Sequence, residues 1–255
     1  MFKLQTYDPK LDGPSGSIYR NEYELAESSF VKKLVGPGEL VLDVGAHIGY
    51  YTVLLSSLVG NEGKVLSFEP DASNFKILSN NLTLNKISNV SAHPFAVSNE
   101  EIPKLTTYRC LRNSGDTRCW DKMNCTDCIR SFCSQIVLDN FVEGKVSFAK
   151  IDVQGYEAKV IKGMKRIIDE SEKISLLVEY SPIDIESAGL SLDEFFGCLN
   201  GFDTFLIRKN LYKTNAEYLL SQYRKDRKAL DNLLLLKGFK DLSKTPKTFT
   251  ATVSF

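Results

Sequence analysis

Long apolar runs are missing from this chain. No stretch approaches the ~20 residues that a bilayer-spanning helix needs, and the opening MFKLQTYDPKLDGPSG lacks the apolar stretch of a signal peptide. A soluble, cytoplasmic protein is the expectation. Net charge is missing as well: 32 Lys+Arg balance 32 Asp+Glu, which removes the electrostatic basis for coating a polyanion. There is no internal repeat and no low-complexity linker. The 255 residues, 43% hydrophobic and 25% charged, match the globular average and suffice for one α/β domain. Histidine is scarce, with only His47 and His93 present.

The neutral total hides an asymmetry. Residues 208–247 carry 11 Lys+Arg against 4 Asp+Glu, and Leu211 to Leu236 reads as helix, so a basic helical segment with a solvated face is expected there. A leading helical segment is expected over 1–38, with Ile18, Leu25, Phe30 and Leu34 on a helical period and Gly36-Pro37-Gly38 as its stop. Strand patterns follow at Leu40 to Val44, Lys64 to Glu69, Val90 to Val97 (broken by Pro94), Val146 to Val153, Lys173 to Tyr180 and Asp203 to Ile207. Helical patterns separate most of them, and Ser191-x-x-Glu194 reads as a capping box. This alternation predicts βαβ crossovers and a mostly parallel sheet, to which the tail TFTATVSF (Thr248 to Phe255) adds an antiparallel strand.

VLDVGAHIGYYT carries the strongest functional signal. A strand ends in Asp43, a turn holds Gly45 and Gly49, and a helix begins near His47, which places bare backbone N–H groups beside a ligand. The loop departs from G-x-G-x-x-G, having Ala46 in the interval and only two glycines, so it does not suit NAD or FAD. Glu69 closes the next strand, 24 positions after Gly45, where a carboxylate accepts hydrogen bonds from ribose hydroxyls. A nucleoside without a pyrophosphate fits both facts, and S-adenosylmethionine is such a molecule.

VLDVGAHIGYYT, FEPDASNFKILSNNLTLN, AVS, FAKIDVQGYEAKVIKGM and LLVEY occur in that order between Glu39 and Tyr180. Together they resemble the successive motifs of the FkbM family of S-adenosylmethionine-dependent methyltransferases. The resemblance implies a Rossmann-like class I fold, with a seven-stranded sheet, an antiparallel last strand and helices on both faces. It implies O-methyl transfer to a hydroxyl, often of a sugar or natural product. It places Asp43, Gly45, Ala46, His47 and Gly49 around the methionine end, Glu69 with Pro70 at the ribose, Asn74 nearby, and Ala96, Val97 and Ser98 near the adenine. Two positions depart from the family pattern: His47 stands where Asn is usual, and Gln154 where Glu is usual.

Methyl transfer from a sulfonium is an in-line displacement, so the protein has to align the acceptor hydroxyl and help remove its proton. Lys150 and Asp152 share one face of their strand near its carboxyl end, where open α/β sheets bind ligands. Asp152 is the first candidate for the base, with a helix cap or a contact to the cofactor's ammonium as its other readings. Lys150 is a candidate for stabilising the acceptor oxyanion, or simply an ion-pair partner. Glu179, at the next strand end, and His47, beside the cofactor loop, complete the catalytic candidates.

Five cysteines fall within 24 residues, inside an excursion over 106–140 that is expected to border the acceptor pocket. Cys119, Cys125, Cys128 and Cys133 are candidate zinc ligands, with disulfides as the competing device and free thiols as the third reading. The need for a divalent cation is left open. A small acceptor, a saccharide or glycoconjugate, is the expected partner. Three other functions compete: an RNA ribose methyltransferase, a nicotinamide oxidoreductase lacking a Tyr-x-x-x-Lys pair, and a noncatalytic module on the cofactor fold.

Overall fold

A computed structural model describes residues 2–120, 127–226 and 228–239. Two short helices open it, α1 (Gly13–Tyr19) and α2 (Leu25–Leu34), where the periodicity predicts a single helix. Asp12 caps α1 by accepting from the Ser15 N–H. Between the helices Asn21 and Glu24 take left-handed φ values of 56° and 43°, which turns the chain out of the helical path.

The βα alternation then runs as the sequence predicts, through β1 (Leu40–Val44), α3 (Tyr50–Val59), β2 (Lys64–Phe68), α4 (Ala72–Leu84) and β3 (Val90–His93). Pro94 does more than interrupt a strand. It separates β3, in the main sheet, from β4 (Phe95–Ser98), in a second sheet with β5 (Ile102–Cys110), β6 (Thr117–Arg118) and β7 (Cys128–Val137). The described part of the cysteine-rich excursion is thus mostly strand, and its buried side chains include the polar Thr107, Arg109 and Gln135. Arg109 is balanced by Asp71 at 3.1 Å.

The main sheet resumes with α5 (Leu138–Phe141), β8 (Val146–Ile151), α6 (Glu157–Lys162), α7 (Lys165–Glu170), β9 (Ile174–Tyr180), α8 (Pro182–Ser187), α9 (Leu192–Cys198), β10 (Asp203–Ile207), β11 (Leu211–Lys213), α10 (Ala216–Lys225) and β12 (Asp231–Lys237). Its order is β11-β10-β12-β9-β8-β1-β2-β3. Strands β3, β2, β1, β8 and β9 are parallel, and β12 runs antiparallel to both β9 and β10. The expected seven-stranded sheet with one reversed strand is present, extended by β11 as a hairpin on β10.

Two expectations change. The reversed strand is 231–237, while the tail proposed for that role lies outside the described residues. The segment 211–236 is strand, helix and strand, because Leu233–Leu236 is a short apolar run buried on both faces, a pattern that periodicity cannot distinguish from helix. Two cations in and beside this segment are paired: Arg208 with Asp231, and Lys213, which lies 2.7 Å from Asp203.

Alternation along the strands builds two cores. Leu42, Val44, Ala149, Ile151, Leu176, Val178, Leu233 and Leu235 face the cluster that includes Met164, Ile167 and Phe195. Val41, Phe148, Leu177, Leu234 and Leu236 face Phe30, Val31, Leu54 and Leu55 of α2 and α3. By the same alternation Asp43, Lys150, Asp152 and Glu179 all belong to the α2–α3 face. A single row of polar strand ends therefore continues that apolar wall.

The loop after β1 lies directly against the chain leaving β8. A Cβ on Gly45, whose φ is +83°, would lie 1.8 Å from the Asp152 carbonyl oxygen. Gly45→Ala has to push β8 away as well as strain the backbone, so we expect a loss of about 2 kcal/mol or more. Urea titration of the purified variant checks this; a midpoint equal to wild type would contradict the close-approach argument.

Candidate active site

The loop after β1 satisfies its own N–H groups. Those of Gly45 and Ala46 both donate to the Phe68 carbonyl at 3.0 Å, and that of Gly49 to the Ala46 carbonyl at 2.8 Å. The His47 N–H donates to Glu69 Oε2 at 2.8 Å. Four of the N–H groups expected from the sequence to be bare, those of Gly45, Ala46, His47 and Gly49, are therefore engaged. Helix α3 starts later than expected, at Tyr50, with Gly49 as its N-cap at φ +89°. Leu78 lies directly against Gly49.

Glu69 extends from β2 and is 3% exposed. Its Oε1 accepts from the Asp71 N–H at 2.9 Å and from Asn74 Nδ2 at 3.3 Å. Burial pushes its carboxyl up to about 7, against the pull of those donors. Asp43, buried at the end of β1, accepts from Thr52 Oγ1 at 2.6 Å, and burial pushes it up to about 6 despite that bond. Asn74 ties the region to the chain start, its Oδ1 accepting from the Tyr7 hydroxyl at 2.9 Å.

His47 sits at φ +53°, and its Nε2 is 2.6 Å from Ser114 Oγ in the loop between β5 and β6. The Ser114 N–H donates to Asp12 Oδ1 at 2.7 Å. Burial lowers the imidazole to about 4, so the ring is neutral at physiological pH. His47 thereby links the β1 loop, the second sheet and α1.

Lys150, 3% exposed, is the cation of the site. Its Nζ lies 3.0 Å from Asp152 Oδ2 and 3.9 Å from Glu24 Oε2, and 4.8 Å from the Tyr51 ring centroid. Burial opposes its charge, but Asp152 and Glu24 outweigh that and hold it protonated. Burial likewise opposes the charge on Asp152, and the Lys150 ammonium brings its carboxyl below the usual range. Gln154, at φ +53°, directs Nε2 to Asp152 Oδ1 at 2.8 Å and to Glu179 Oε2 at 2.7 Å. Glu179 is pushed well up by burial and by the neighbouring Asp152 charge, so it carries the proton of the pair.

These groups line one cavity at the strand ends. Asp43, Gly45, Ala46, His47, Glu69, Pro70, Asn74, Ala96, Val97, Lys150 and Asp152 all border it. Gly49 and Ser98 do not: Gly49 caps α3, and the Ser98 hydroxyl turns to Asn99 Oδ1 at 3.3 Å. Glu179 stands behind the wall, reached through Gln154. The excursion borders the cavity as expected, through Gly115, Thr117 and Cys119.

Sequence reasoning missed Tyr23, Tyr50, Tyr51 and Tyr156 in the lining, and Glu24 beside Lys150. The Tyr51 hydroxyl donates to Glu24 Oε2 at 2.6 Å. The available signal was the polar, aromatic NEYE within an otherwise helical pattern.

The zinc site does not form. Cys119 and Cys133 are free thiols, Cys128 is disulfide-bonded, and Cys125 lies outside the described residues. Among the described residues no group of three or more His, Cys, Asp or Glu is placed to hold a metal ion. Burial pushes the Cys119 thiol far up, which disfavours a thiolate ligand. Among the described residues no helix is long and apolar enough to cross a membrane.

No curated protein matches the chain. Three solved structures are similar to it. A methyltransferase FkbM from Methylobacillus flagellatus KT shares 17% identity over 89% of this chain and 56% of that one, with TM-score 0.48. A putative methyltransferase from Streptococcus mutans in complex with SAH shares 14% over 83% and 95%, with TM-score 0.49. A putative rRNA-methylase from Clostridium thermocellum shares 15% over 83% and 94%, with TM-score 0.48. At such scores these likenesses carry no functional argument. The family model described as Methyltransferase FkbM domain matches residues 43–212, well over half of the chain. That match begins at the carboxylate closing β1 and includes Glu69, Lys150, Asp152 and Glu179, and the chain belongs to the FkbM family of S-adenosylmethionine-dependent methyltransferases.

Proposed function

We propose that this enzyme transfers a methyl group from S-adenosylmethionine to a hydroxyl of a small saccharide or glycoconjugate. The charge of the cavity carries the cofactor part of this reading. Its lining holds three carboxylates, Asp43, Glu69 and Asp152, against one ammonium, Lys150, and the adjacent loop N–H groups are engaged internally. Such a site, with more carboxylates than cations, suits a cationic nucleoside better than a pyrophosphate. The saccharide part rests on the sequence resemblance.

Glu69 has lone pairs left to accept ribose hydroxyls, Ala96 and Val97 give an apolar wall for the base, and Asp43 faces the methionine end. His47 acts as a positioning residue, because its ring is tied to Ser114 in the loop between β5 and β6. The bound cofactor supplies the electrophilic methyl. Asp152, ionised at neutral pH, orients the acceptor hydroxyl and takes its proton as the oxygen attacks, while Lys150 stabilises the charge developing on that oxygen. Gln154 and the protonated Glu179 hold Asp152 in place. An RNA acceptor is disfavoured, because Arg208 and Lys213 on the basic segment already face Asp231 and Asp203.

The division of roles is tested by two variants. Calorimetry with S-adenosylhomocysteine should show Glu69→Ala binding at least about tenfold more weakly, as expected when a charged acceptor of two hydroxyls is removed. Asp152→Asn should bind it normally, yet lose about a hundredfold or more in turnover of tritiated S-adenosylmethionine with a panel of sugars. Equal loss of binding in both variants would sink the assignment.

The pH dependence follows from Glu69. Its carboxyl titrates near 7 in the folded protein, above the ordinary 4.5, and only the ionised form accepts both ribose hydroxyls. Binding is therefore full above pH 7 and weakens as pH falls, by roughly tenfold per unit at most, with proton release in the acidic range. Calorimetry between pH 5.5 and 8.5 in buffers of different ionisation enthalpy reads both. Glu69→Gln should bind more weakly and flatten the profile; an unchanged slope would assign the titration elsewhere.

A further inference from the structure

A groove of about 290 Å³ opens beside the cavity and shares Tyr23 and Tyr50 with it. The junction lies at the reactive end. Tyr50 meets Tyr51 with ring centroids 5.4 Å apart, and the Tyr51 ring covers the Lys150 ammonium at 4.8 Å. Ala96 and Val97 belong to the other sheet. A molecule whose hydroxyl reaches Asp152 can thus extend into this groove without crossing the cofactor's place.

The groove is aromatic and uncharged. Tyr23 and Tyr50 pack edge to face at 5.0 Å, Phe2 joins Tyr50 at 6.4 Å, and Tyr19 and Leu25 stand on the rim, 76% and 44% exposed. Thr6 and Asn21 add short polar groups, and none of the lining side chains is charged. Singly exposed apolar residues need no explanation, whereas a cluster continuous with a buried reactive site does. The break between α1 and α2 creates the feature, by turning Tyr23 inward and leaving Tyr19 outward. The basic groove around α10 differs: it shares no wall with the cavity, and Arg208 and Lys213 within it face carboxylates.

We propose that the groove is the acceptor subsite and that it takes a neutral glycoside, with the sugar hydroxyl at Asp152 and an apolar aglycone against Tyr23, Tyr50 and Tyr19. This rests on the methyltransferase reading with a saccharide acceptor. It deepens that reading by excluding phosphorylated sugars as preferred acceptors, since a phosphate would enter an uncharged aromatic channel. Flat rings and sugar faces stack on such walls.

The test is saturation-transfer NMR with titration on the protein saturated with S-adenosylhomocysteine, using 4-nitrophenyl glucoside, glucose and glucose 1-phosphate as probes. The nitrophenyl glucoside should bind roughly tenfold more tightly than either other probe, with its ring protons most strongly saturated. Tyr19→Ala, on an exposed side chain outside the catalytic machinery, should weaken that binding roughly three- to tenfold and leave S-adenosylhomocysteine affinity unchanged. The subsite is refuted if glucose 1-phosphate binds as well as the aryl glucoside, or if Tyr19→Ala leaves the aryl glucoside unaffected. Failure of the wild-type protein to bind S-adenosylhomocysteine would overturn the methyltransferase reading, and this subsite with it.

Discussion

A buried ammonium organises this molecule. Lys150 sits in the middle of an eight-stranded sheet at 3% exposure, where an unpaired charge would be untenable. Its carboxylate partners come from different places in the chain: Asp152 from the end of its own strand, and Glu24 from the break between two helices far upstream. Satisfying Lys150 therefore fixes where the α1–α2 turn rests on the sheet. It also sets the protonation of the remaining acids, keeping Asp152 ionised and leaving the proton on Glu179. A catalytic carboxylate and the roof above it thus depend on one cation.

The second constraint is the closeness of β1 and β8. Because Gly45 admits the Asp152 carbonyl where any Cβ would collide, the two strand ends that carry Asp43 and Asp152 converge on one small space. The loop above them is stiffened from inside, its N–H groups bonded to Phe68 and Glu69. This internal satisfaction separates the site from a phosphate-binding turn. A dinucleotide loop leaves its N–H groups pointing at the ligand, whereas here carboxylates from three strand ends border the cavity.

Most of the strand order and most of the cavity were legible in the chain. Short apolar runs alternating with helical patterns marked β1, β2, β8, β9 and β10, and the loop residues Asp43, Gly45, Ala46 and His47 with Glu69 do border one cavity. What escaped depended on tertiary context. The break at 20–24 rests on two left-handed residues, neither of them glycine, Asn21 and Glu24, and the second is held there by Lys150 and the Tyr51 hydroxyl. Leu233–Leu236 is apolar on both faces and so shows no period at all. The cysteine spacing suggested a metal, but strand pairing places Cys128 opposite Cys110, away from Cys119.

Gln154 shows how a departure from the family pattern can be physically coherent. A glutamate at this position would bring a third carboxylate beside the half-buried Asp152 and Glu179, and like charges at such distances raise one another's proton affinity. The amide instead supplies two N–H donors on one nitrogen, and the structure uses both, one for each acid. The left-handed backbone at Gln154 is what aims that nitrogen between them. With a neutral clamp in place, a single proton on Glu179 is enough to balance the pair. Asp152 then stays charged beside Lys150, which is the state that the proposed base needs.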